Sequence, residues 1–353
     1  DLAANRGSSL VTVGPGQPSE VHAAVARINA ALGNVGKTVL PMEPLAFETA
    51  WQGSEEASLE ALVAEMNGGN VRTLLILGGD PVYNAPADLQ FAEALKKVET
   101  SIHLSLYLDE TSGLCSWHVP RAHSLETWGD ARGHDGTYSV VQPMIQPLYG
   151  GKSAVELLAV LLGEESTHGR DLVRAQFPKI LAPLDSQPTT ESETEKLWRK
   201  TLHDGLLPGS EWPLAAETPP ETTPAEPPAA GGDDLEIVFH PDAKVYDGRF
   251  ANNGWLQEMP DPVTRLTWGG AALLSPATAK ELGVEDQTLV KLTFGGREAE
   301  IPAYVVPGQA YRSVAVQIGY GRTSAGHVGG LVDDGVEPVG ADVYQLRTSE
   351  AMH

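Results

Sequence analysis

The sequence predicts two domains, an α/β domain with a doubly wound parallel sheet and a following domain built mainly of β-strands. Up to about residue 163, apolar strand-like runs alternate with helical patterns, which is typical of a parallel sheet with crossover helices. Beyond residue 235, short strands are separated by Gly and Pro, and this pattern favours a closed barrel. The length of 353 residues also fits two domains better than one.

The α/β part contains one run that is apolar almost throughout, Thr73 to Leu77. Such a run indicates a strand that is buried on both faces, as in a parallel sheet. The helix predicted at 190–203 carries an apolar stripe with Leu197 and Trp198, which we expect to face the core. The other elements predicted in this part are strands at 9–13, 38–40 and 101–108 and helices at 20–32, 58–66, 89–98 and 151–163.

Proline and alanine predominate between Pro213 and Gly232, a composition that cannot build a core. We therefore predict a linker or surface insertion at 211–234, between an α/β domain at 1–210 and a barrel domain at 235–353. The barrel domain contains one good helical pattern, at 276–282. Its predicted strands are 235–240, 289–294, 298–306, 313–318 and 343–347.

Charge and cysteine content exclude several functions. The formal net charge of −23, from 47 acidic and 24 basic residues, repels nucleic acid and anionic lipid headgroups. Insertion into a membrane is not expected either, because no apolar run approaches about eighteen residues. Cys115 is the only cysteine, so a cluster with four cysteine ligands does not fit within this sequence. Because Asp1 opens what reads as the tail of a helix, we expect the sequence to be an excised piece, with any iron–sulfur cluster in the missing parts.

His118 and His123 lie near Glu126 and Asp130 and suggest a metal site at first sight. Their spacing matches no compact ligand motif, so histidines with a structural role are the favoured interpretation. No catalytic residue is predicted.

Five short strings stand out in the C-terminal region, at 273–279, 282–284, 295–296, 306–309 and 319–323. They resemble the last domain of the molybdopterin oxidoreductase family, which includes dimethyl-sulfoxide reductase. In that family this domain is a double-psi β-barrel that binds the molybdopterin dinucleotide, and the region before it in this sequence resembles the family's Rossmann-like third domain.

Longer strings are found at 128–132, 135–137, 142–153 and 247–258. They resemble one branch of the family, the large iron–sulfur, molybdopterin-like subunit of bacterial alternative complex III. The resemblance implies that the chain works with the missing domains of its own protein and with other subunits of a membrane-bound electron-transfer complex. It also implies a periplasmic location, peripheral to the inner membrane, although the sequence carries no export signal.

Members of the family that bind the cofactor have a Gly-x-Asn-Pro turn after a buried strand. Here the turn reads Gly78-Gly79-Asp80-Pro81, so a carboxylate that only accepts hydrogen bonds replaces an amide that also donates them. The acid that reads the guanine edge in the family falls on Ser105 in this sequence.

The next conserved pair of the family falls on Glu110 and Thr111, and a later acid falls on Ser116. In the barrel domain, Arg322 and Thr323 lie where the family approaches the pterin. Two interpretations of Arg322 stay open: it pairs with a phosphate in a bidentate manner, or it braces a turn through neighbouring carboxylates.

Two functions follow from the resemblance. The first is a structural scaffold without a cofactor of its own, in which Gly78, Gly79, Asp80, Ser105, Glu110, Thr111, Arg322 and Thr323 are vestigial positions for molybdopterin guanine dinucleotide. The second is a cofactor-binding part of an active molybdenum or tungsten oxidoreductase with bis-molybdopterin guanine dinucleotide.

Overall fold

The computed structural model of the chain describes residues 1–14, 16–42, 58–182, 188, 190–215 and 235–351. Contacts between residues group the chain into two compact units. The first unit comprises residues 1–54 and 122–231, and the second unit comprises residues 55–121 and 232–353. Residues 55–121 are thus grouped with the C-terminal region. The sequence instead predicts them as part of an α/β domain at 1–210. Of the predicted linker, residues 216–234 lie outside the described residues.

The described helices are short to medium in length. They are α1 (Ser19–Ala31), α2 (Leu59–Asn67), α3 (Pro81–Asn84), α4 (Phe91–Leu95), α5 (Glu110–Leu114), α6 (Ala154–Leu162), α7 (Gly169–Leu181), α8 (Glu191–Asp204), α9 (Gly254–Glu258) and α10 (Pro276–Leu282). In the part of the chain that the structure describes, none of them has the length and apolarity to cross a membrane.

The strands of the described residues form four small sheets. They are β1 (Thr73–Leu77), β2 (Thr100–Ser105), β3 (Trp117–Pro120), β4 (Gly129–Arg132), β5 (Tyr138–Val141), β6 (Leu206–Leu207), β7 (Glu236–Pro241), β8 (Ala272–Leu274), β9 (Leu289–Phe294), β10 (Arg297–Val305), β11 (Ser313–Ile318), β12 (Ser324–Gly326) and β13 (Gly330–Leu331).

The second unit contains the predicted parallel sheet, with β1 next to β2 and β2 next to β3. The bounds predicted for β1 are confirmed, whereas β2 ends at Ser105, three residues before the predicted end. In a doubly wound sheet, the spatial order of the strands reverses at one point. The described parallel sheet has the sequential order β1-β2-β3, without such a reversal. The carboxyl ends of these strands meet at one edge, where the candidate site lies.

One face of the parallel sheet is covered by α2 and α4. Met66 of α2 and Phe91 of α4 are fully or almost fully buried, and Leu74 and Ile76 of β1 pack against them. The helix predicted at 89–98 is shorter in the structure, because a 3-10 turn at Ala87–Leu89 precedes α4. This packing holds β1 and the turn that follows it.

The C-terminal part of the second unit contains a mixed five-stranded sheet in the order β7-β11-β8-β10-β9. Strands β11 and β7 are parallel, while β10 and β9 form an antiparallel hairpin around Gly295 and Gly296. Strand β11 is buried over its whole length, and Val314 and Val316 lie in the core with Ile301 of β10. The predicted bounds of β9, α10 and β11 are confirmed.

The first unit is built around the antiparallel sheet β4-β5-β6 and the helices α7 and α8. Phe177 of α7 and Trp198 of α8 meet edge to face, with ring centroids 5.0 Å apart. The predicted core-facing stripe of α8 is confirmed, because Trp198 is 1% exposed and Leu197 packs against the same core. A capping box between Thr190 and Glu193 starts α8.

Two predicted strands do not form. In the run 9–13, the backbone N–H and carbonyl of Val11 bond to the side-chain amide of Asn29 on α1, at 3.1 and 2.8 Å, instead of to a neighbouring strand. The run 343–347 contains a 3-10 helix at Tyr344–Leu346. There Asp342 accepts a hydrogen bond from the backbone N–H of Tyr344, which favours a turn. The predicted strand at 38–40 is reduced to a single bridge between Val35 and Val39.

Phe177→Ala tests the aromatic core of the first unit. Phe177 is 0% exposed, so we expect the free energy of unfolding to fall by about 3–5 kcal/mol, the usual cost of an emptied aromatic site. Leu161→Ala is the control, since Leu161 of α6 is 59% exposed and its loss is expected to cost no more than about 0.5 kcal/mol. Denaturant unfolding followed by circular dichroism measures both, and equal costs would contradict the assignment of Phe177 to a core.

Candidate functional site

The candidate site begins at the turn after β1. Gly78 and Gly79 have φ angles of +84° and +79°, which are left-handed conformations that favour glycine. A Cβ on Gly78 would also lie 2.6 Å from Nη1 of Arg121. The turn directs Asp80, at the start of α3, into the interior of the second unit, where it is 8% exposed.

Thr111 of α5 holds the carboxylate of Asp80. Oδ1 of Asp80 accepts hydrogen bonds from the backbone N–H of Thr111 at 3.0 Å and from its hydroxyl at 2.6 Å. The same hydroxyl accepts a hydrogen bond from the backbone N–H of Val82 at 3.0 Å. The start of α3 and the first turn of α5 are therefore tied together through one carboxylate and one threonine.

Arg322 reaches the same place from the segment that follows β11. Its Nη2 lies 2.6 Å from Oδ2 of Asp80, and Nη2 also donates to the carboxylate of Glu110. Nε donates to Glu110 at 3.4 Å, and Nη1 donates to the carbonyl of Gly248 at 3.0 Å. Arg322 is 5% exposed and its guanidinium lies 5.1 Å from the ring centre of Tyr83. We call Asp80, Glu110 and Arg322 the buried ion cluster.

The buried ion cluster holds two carboxylates against one guanidinium. Burial raises the pKa of Asp80 to about 8, with a further contribution from the neighbouring Glu110, and Arg322 offsets only part of this rise. Burial also acts on Glu110, but its hydrogen bonds with Arg322 outweigh burial and lower its pKa to about 2. A proton shared by the pair removes the excess negative charge, and we place that proton on Asp80.

A second network lies at the carboxyl end of β2. The hydroxyl of Ser105 donates to Oδ2 of Asp109 at 2.7 Å, and the ring of His103 lies 3.3 Å from Oδ1 of Asp109. His103 also bonds to Ser112 at 2.9 Å and to the carbonyl of Gly79 at 3.0 Å. Burial raises the pKa of Asp109, but hydrogen bonds with His103, Ser105 and Ser112 outweigh burial and lower it to about 2.

A cavity of about 190 Å³ opens at this edge of the sheet. Asp80, Asp109 and Arg322 contribute to its wall, together with Asp247 and Arg249, which pair with each other at 2.7 Å. Arg121, which directly follows β3, also lines the cavity and is exposed.

The structure brings all the predicted site residues into this region of the second unit. Five of the predicted site residues line the cavity, namely Gly78, Gly79, Asp80, Ser105 and Arg322. Glu110, Thr111 and Thr323 lie behind it, in hydrogen-bond contact with members of the buried ion cluster. The contacts of Arg322 with Asp80 and Glu110 agree with the second interpretation of this residue, in which it braces a turn through neighbouring carboxylates.

Sequence reasoning missed His103, Asp109 and Arg121. Asp109 precedes a short helix and accepts a hydrogen bond from the backbone N–H of Ser112 at 2.8 Å, which is the pattern of a helix N-cap. Arg121 follows the third parallel strand, and ligands of parallel sheets bind at the carboxyl ends of strands. The N-cap rule was sufficient to find Asp109, and the strand-end rule was sufficient to find Arg121. No local sequence signal indicates His103.

The histidines considered for metal binding have other contacts. Nδ1 of His118 lies 3.1 Å from the hydroxyl of Ser112, and Nδ1 of His123 accepts a hydrogen bond from the backbone N–H of Leu125 at 3.2 Å. In the described ranges, no three or more His, Cys, Asp and Glu residues are grouped so as to hold a metal ion.

Arg322→Gln tests the buried ion cluster. The substitution leaves Asp80 and Glu110 buried together without a cation, and we expect the free energy of unfolding to fall by about 3–5 kcal/mol. Arg249→Gln is the matched control because the side chain of Arg249 is 62% exposed, and an ion pair made by such an exposed cation is worth about 0–1 kcal/mol. Similar losses in the two variants, measured by denaturant unfolding, would refute the assigned role of Arg322.

Asp80→Asn tests the proton on Asp80. Because the folded-state pKa of about 8 is above the ordinary value of 3.8, the stability that wild-type Asp80 contributes is complete below pH 3.8 and is lost as the pH rises through 8. An amide does not titrate, so the free energy of unfolding of Asp80→Asn relative to wild type should increase between about pH 4 and pH 8. Unfolding curves recorded at several pH values measure this difference, and a constant difference would indicate an ionised Asp80 throughout.

No family model matches the sequence. The chain is 24% identical over 266 residues to the molybdopterin-binding-like subunit of menaquinone reductase from Nitratidesulfovibrio vulgaris strain Hildenborough, a match that covers 72% of this chain and 36% of the relative. Acetylene hydratase from Pelobacter acetylenicus shares the fold with a TM-score of 0.56 at 14% identity, over 83% of this chain and 42% of that protein. The chain thus spans less than half the length of either protein. The similarity in sequence and the similarity in fold confirm the predicted resemblance of this chain to the molybdopterin oxidoreductase family.

Proposed function

We propose that the chain is the scaffold part of a molybdopterin-oxidoreductase-like subunit in a membrane-associated quinol oxidoreductase, and that it holds no molybdopterin of its own. In this function it supports electron transfer by redox groups in other parts of the complex. The observation that carries the proposal is the buried ion cluster, in which Arg322 pairs with two carboxyl groups of the chain itself.

The charges of the site do not fit molybdopterin guanine dinucleotide. All three guanidinium nitrogens of Arg322 donate within the chain, so no donor pair of this residue faces an incoming phosphate. Asp109 and Asp247 also line the cavity, and their carboxylates repel a pyrophosphate unless other groups compensate. In the proposed scaffold, the buried ion cluster replaces a phosphate contact.

The hydrogen-bonding groups and the volume do not fit the cofactor either. The hydroxyl of Ser105 donates to Asp109, whereas a carboxylate at this position accepts two hydrogen bonds from a guanine edge. The cavity of about 190 Å³ is also smaller than the ~300–1,000 Å³ of typical ligand pockets. These residues support a fold that is retained without its cofactor.

The relative's name supports the assignment to a quinone-linked complex, since that protein is a subunit of a menaquinone reductase. Within this class we propose a subunit like that of alternative complex III, located in the periplasm and docked on membrane subunits. The net charge of −23 disfavours direct contact with anionic lipids, so other subunits provide the attachment. We also propose that the strands after residue 235 belong to a double-psi β-barrel.

One observation favours the alternative function, a cofactor-binding part of an active molybdenum or tungsten enzyme. Arg121 lines the cavity beside Gly78, and the guanidinium of Arg121 has no carboxylate partner among the described residues. A cation next to a glycine turn at the carboxyl end of a parallel sheet is suited to an anion. The ionised carboxylate of Asp109 in the same wall weighs against this alternative.

The complete protein, purified within its native complex, tests the proposal. We expect molybdenum, tungsten and acid-released guanine nucleotide to be far below one equivalent per subunit by elemental analysis and chromatography, while quinol oxidation is retained. A matched Arg322→Gln complex should lose thermal stability without any change in these contents. Stoichiometric metal and guanine nucleotide in the wild-type complex would refute the scaffold function and support the alternative.

A further inference from the structure

Glu110 has an environment that differs from that of an ordinary ion-pair partner. Its side chain is 9% exposed, and Oε1 accepts hydrogen bonds from the backbone N–H groups of Thr323 and Ser324 at 2.8 and 2.9 Å. Nε and Nη2 of Arg322 donate to the same carboxylate. Three consecutive residues therefore surround one carboxylate with charged and backbone donors.

The donors belong to a backbone segment that has further contacts besides Glu110. A Cβ on Gly321 would lie 2.1 Å from the backbone nitrogen of Asp342, and a Cβ on Gly330 would lie 2.2 Å from the carbonyl oxygen of Arg322. The two glycines thus allow backbone contacts too close for any other residue. Ser324 also begins β12, which pairs with β13. Packing within the C-terminal region keeps this segment in place.

Two adjacent backbone N–H groups and two guanidinium nitrogens, Nε and Nη2 of Arg322, donate into one small volume. Such an arrangement of backbone donors and a cation forms a binding site for oxyanions. Carboxylate, phosphate and sulfate share the required acceptor geometry. The present ligand, Glu110, comes from a segment 212 residues earlier in the chain. The chain thus brings its own oxyanion to the donors.

We infer that residues 322–324 form an oxyanion-binding site and that the carboxylate of Glu110 is its built-in ligand, which excludes external carboxylates and phosphates. This inference rests on the proposed function, in which no cofactor phosphate occupies the site. Asp80 holds the other side of the guanidinium and keeps it in the orientation that Glu110 requires.

Glu110→Ala in the full chain removes the built-in ligand and leaves the donors. Acetate and inorganic phosphate are titrated separately at constant ionic strength with chloride as the balancing anion. We expect either or both to raise the thermal unfolding midpoint of Glu110→Ala and to bind at least about tenfold more tightly than to wild type, by calorimetry. The acetate arm identifies a preference for planar carboxylates, and the phosphate arm a preference for tetrahedral anions.

The double variant Glu110→Ala/Arg322→Gln is the matched control and should lose the response to both anions. If Glu110→Ala does not fold in chloride, the same titration measures recovery of the folded state, and failure of both anions to restore it overturns the inference. The inference is also overturned if Glu110→Ala is folded and neither anion binds to it or raises its unfolding midpoint. Equal binding by wild type and Glu110→Ala would mean that Glu110 is not the occupant.

This titration uses neither metal nor guanine nucleotide, so its outcome is separate from the test of the proposed function. A native complex without cofactor is compatible with either result of the titration. Cofactor in the native complex would refute the scaffold function whatever the titration gives.

Discussion

The pairing of Arg322 with Asp80 and Glu110 is the interaction on which the candidate site depends. A buried guanidinium is strongly destabilising unless carboxylates and carbonyls satisfy its donors, and a buried carboxylate pair has the same requirement for a cation. The buried ion cluster meets both requirements and leaves one excess negative charge, which a proton on Asp80 removes. A ligand that binds the guanidinium of Arg322 must first displace its charge-assisted hydrogen bonds with Asp80 and Glu110.

The surroundings of the cluster make these interactions persistent. Glycines at 78 and 79 turn the chain at the end of β1, and Thr111 holds the carboxylate of Asp80 with two hydrogen bonds. Beside it, Asp109 bonds to the side chains of His103 and Ser105, and the three side chains fill the carboxyl end of β2. The edge of a parallel sheet, where ligands usually bind, is in this protein largely occupied by the chain's own polar groups. This is the physical basis for proposing a scaffold rather than a cofactor site.

Much of the candidate site was predictable from motifs, because each motif is a continuous stretch of chain. The turn at Gly78, Gly79 and Asp80 was found from its position after an apolar run, and Arg322 was found from its place in a string that resembles a known domain. Asp109 and Arg121 were missed although N-cap and strand-end rules apply to them. His103 was not predictable, since a histidine on a strand has no local feature that distinguishes a buried network from an exposed side chain.

The sequence by itself determined the local elements with strong signals. Ser275 before Pro276 and Gly283 at the end set the bounds of α10, because these residues cap a helix through local hydrogen bonds and backbone angles. Only the tertiary structure decided that Val11 bonds to Asn29 rather than to a neighbouring strand, and that Arg322 pairs with carboxylates 212 and 242 residues away. Long-range pairing depends on how the packed segments meet, and whether a carboxylate is buried or solvated follows from that packing rather than from its neighbours in the chain.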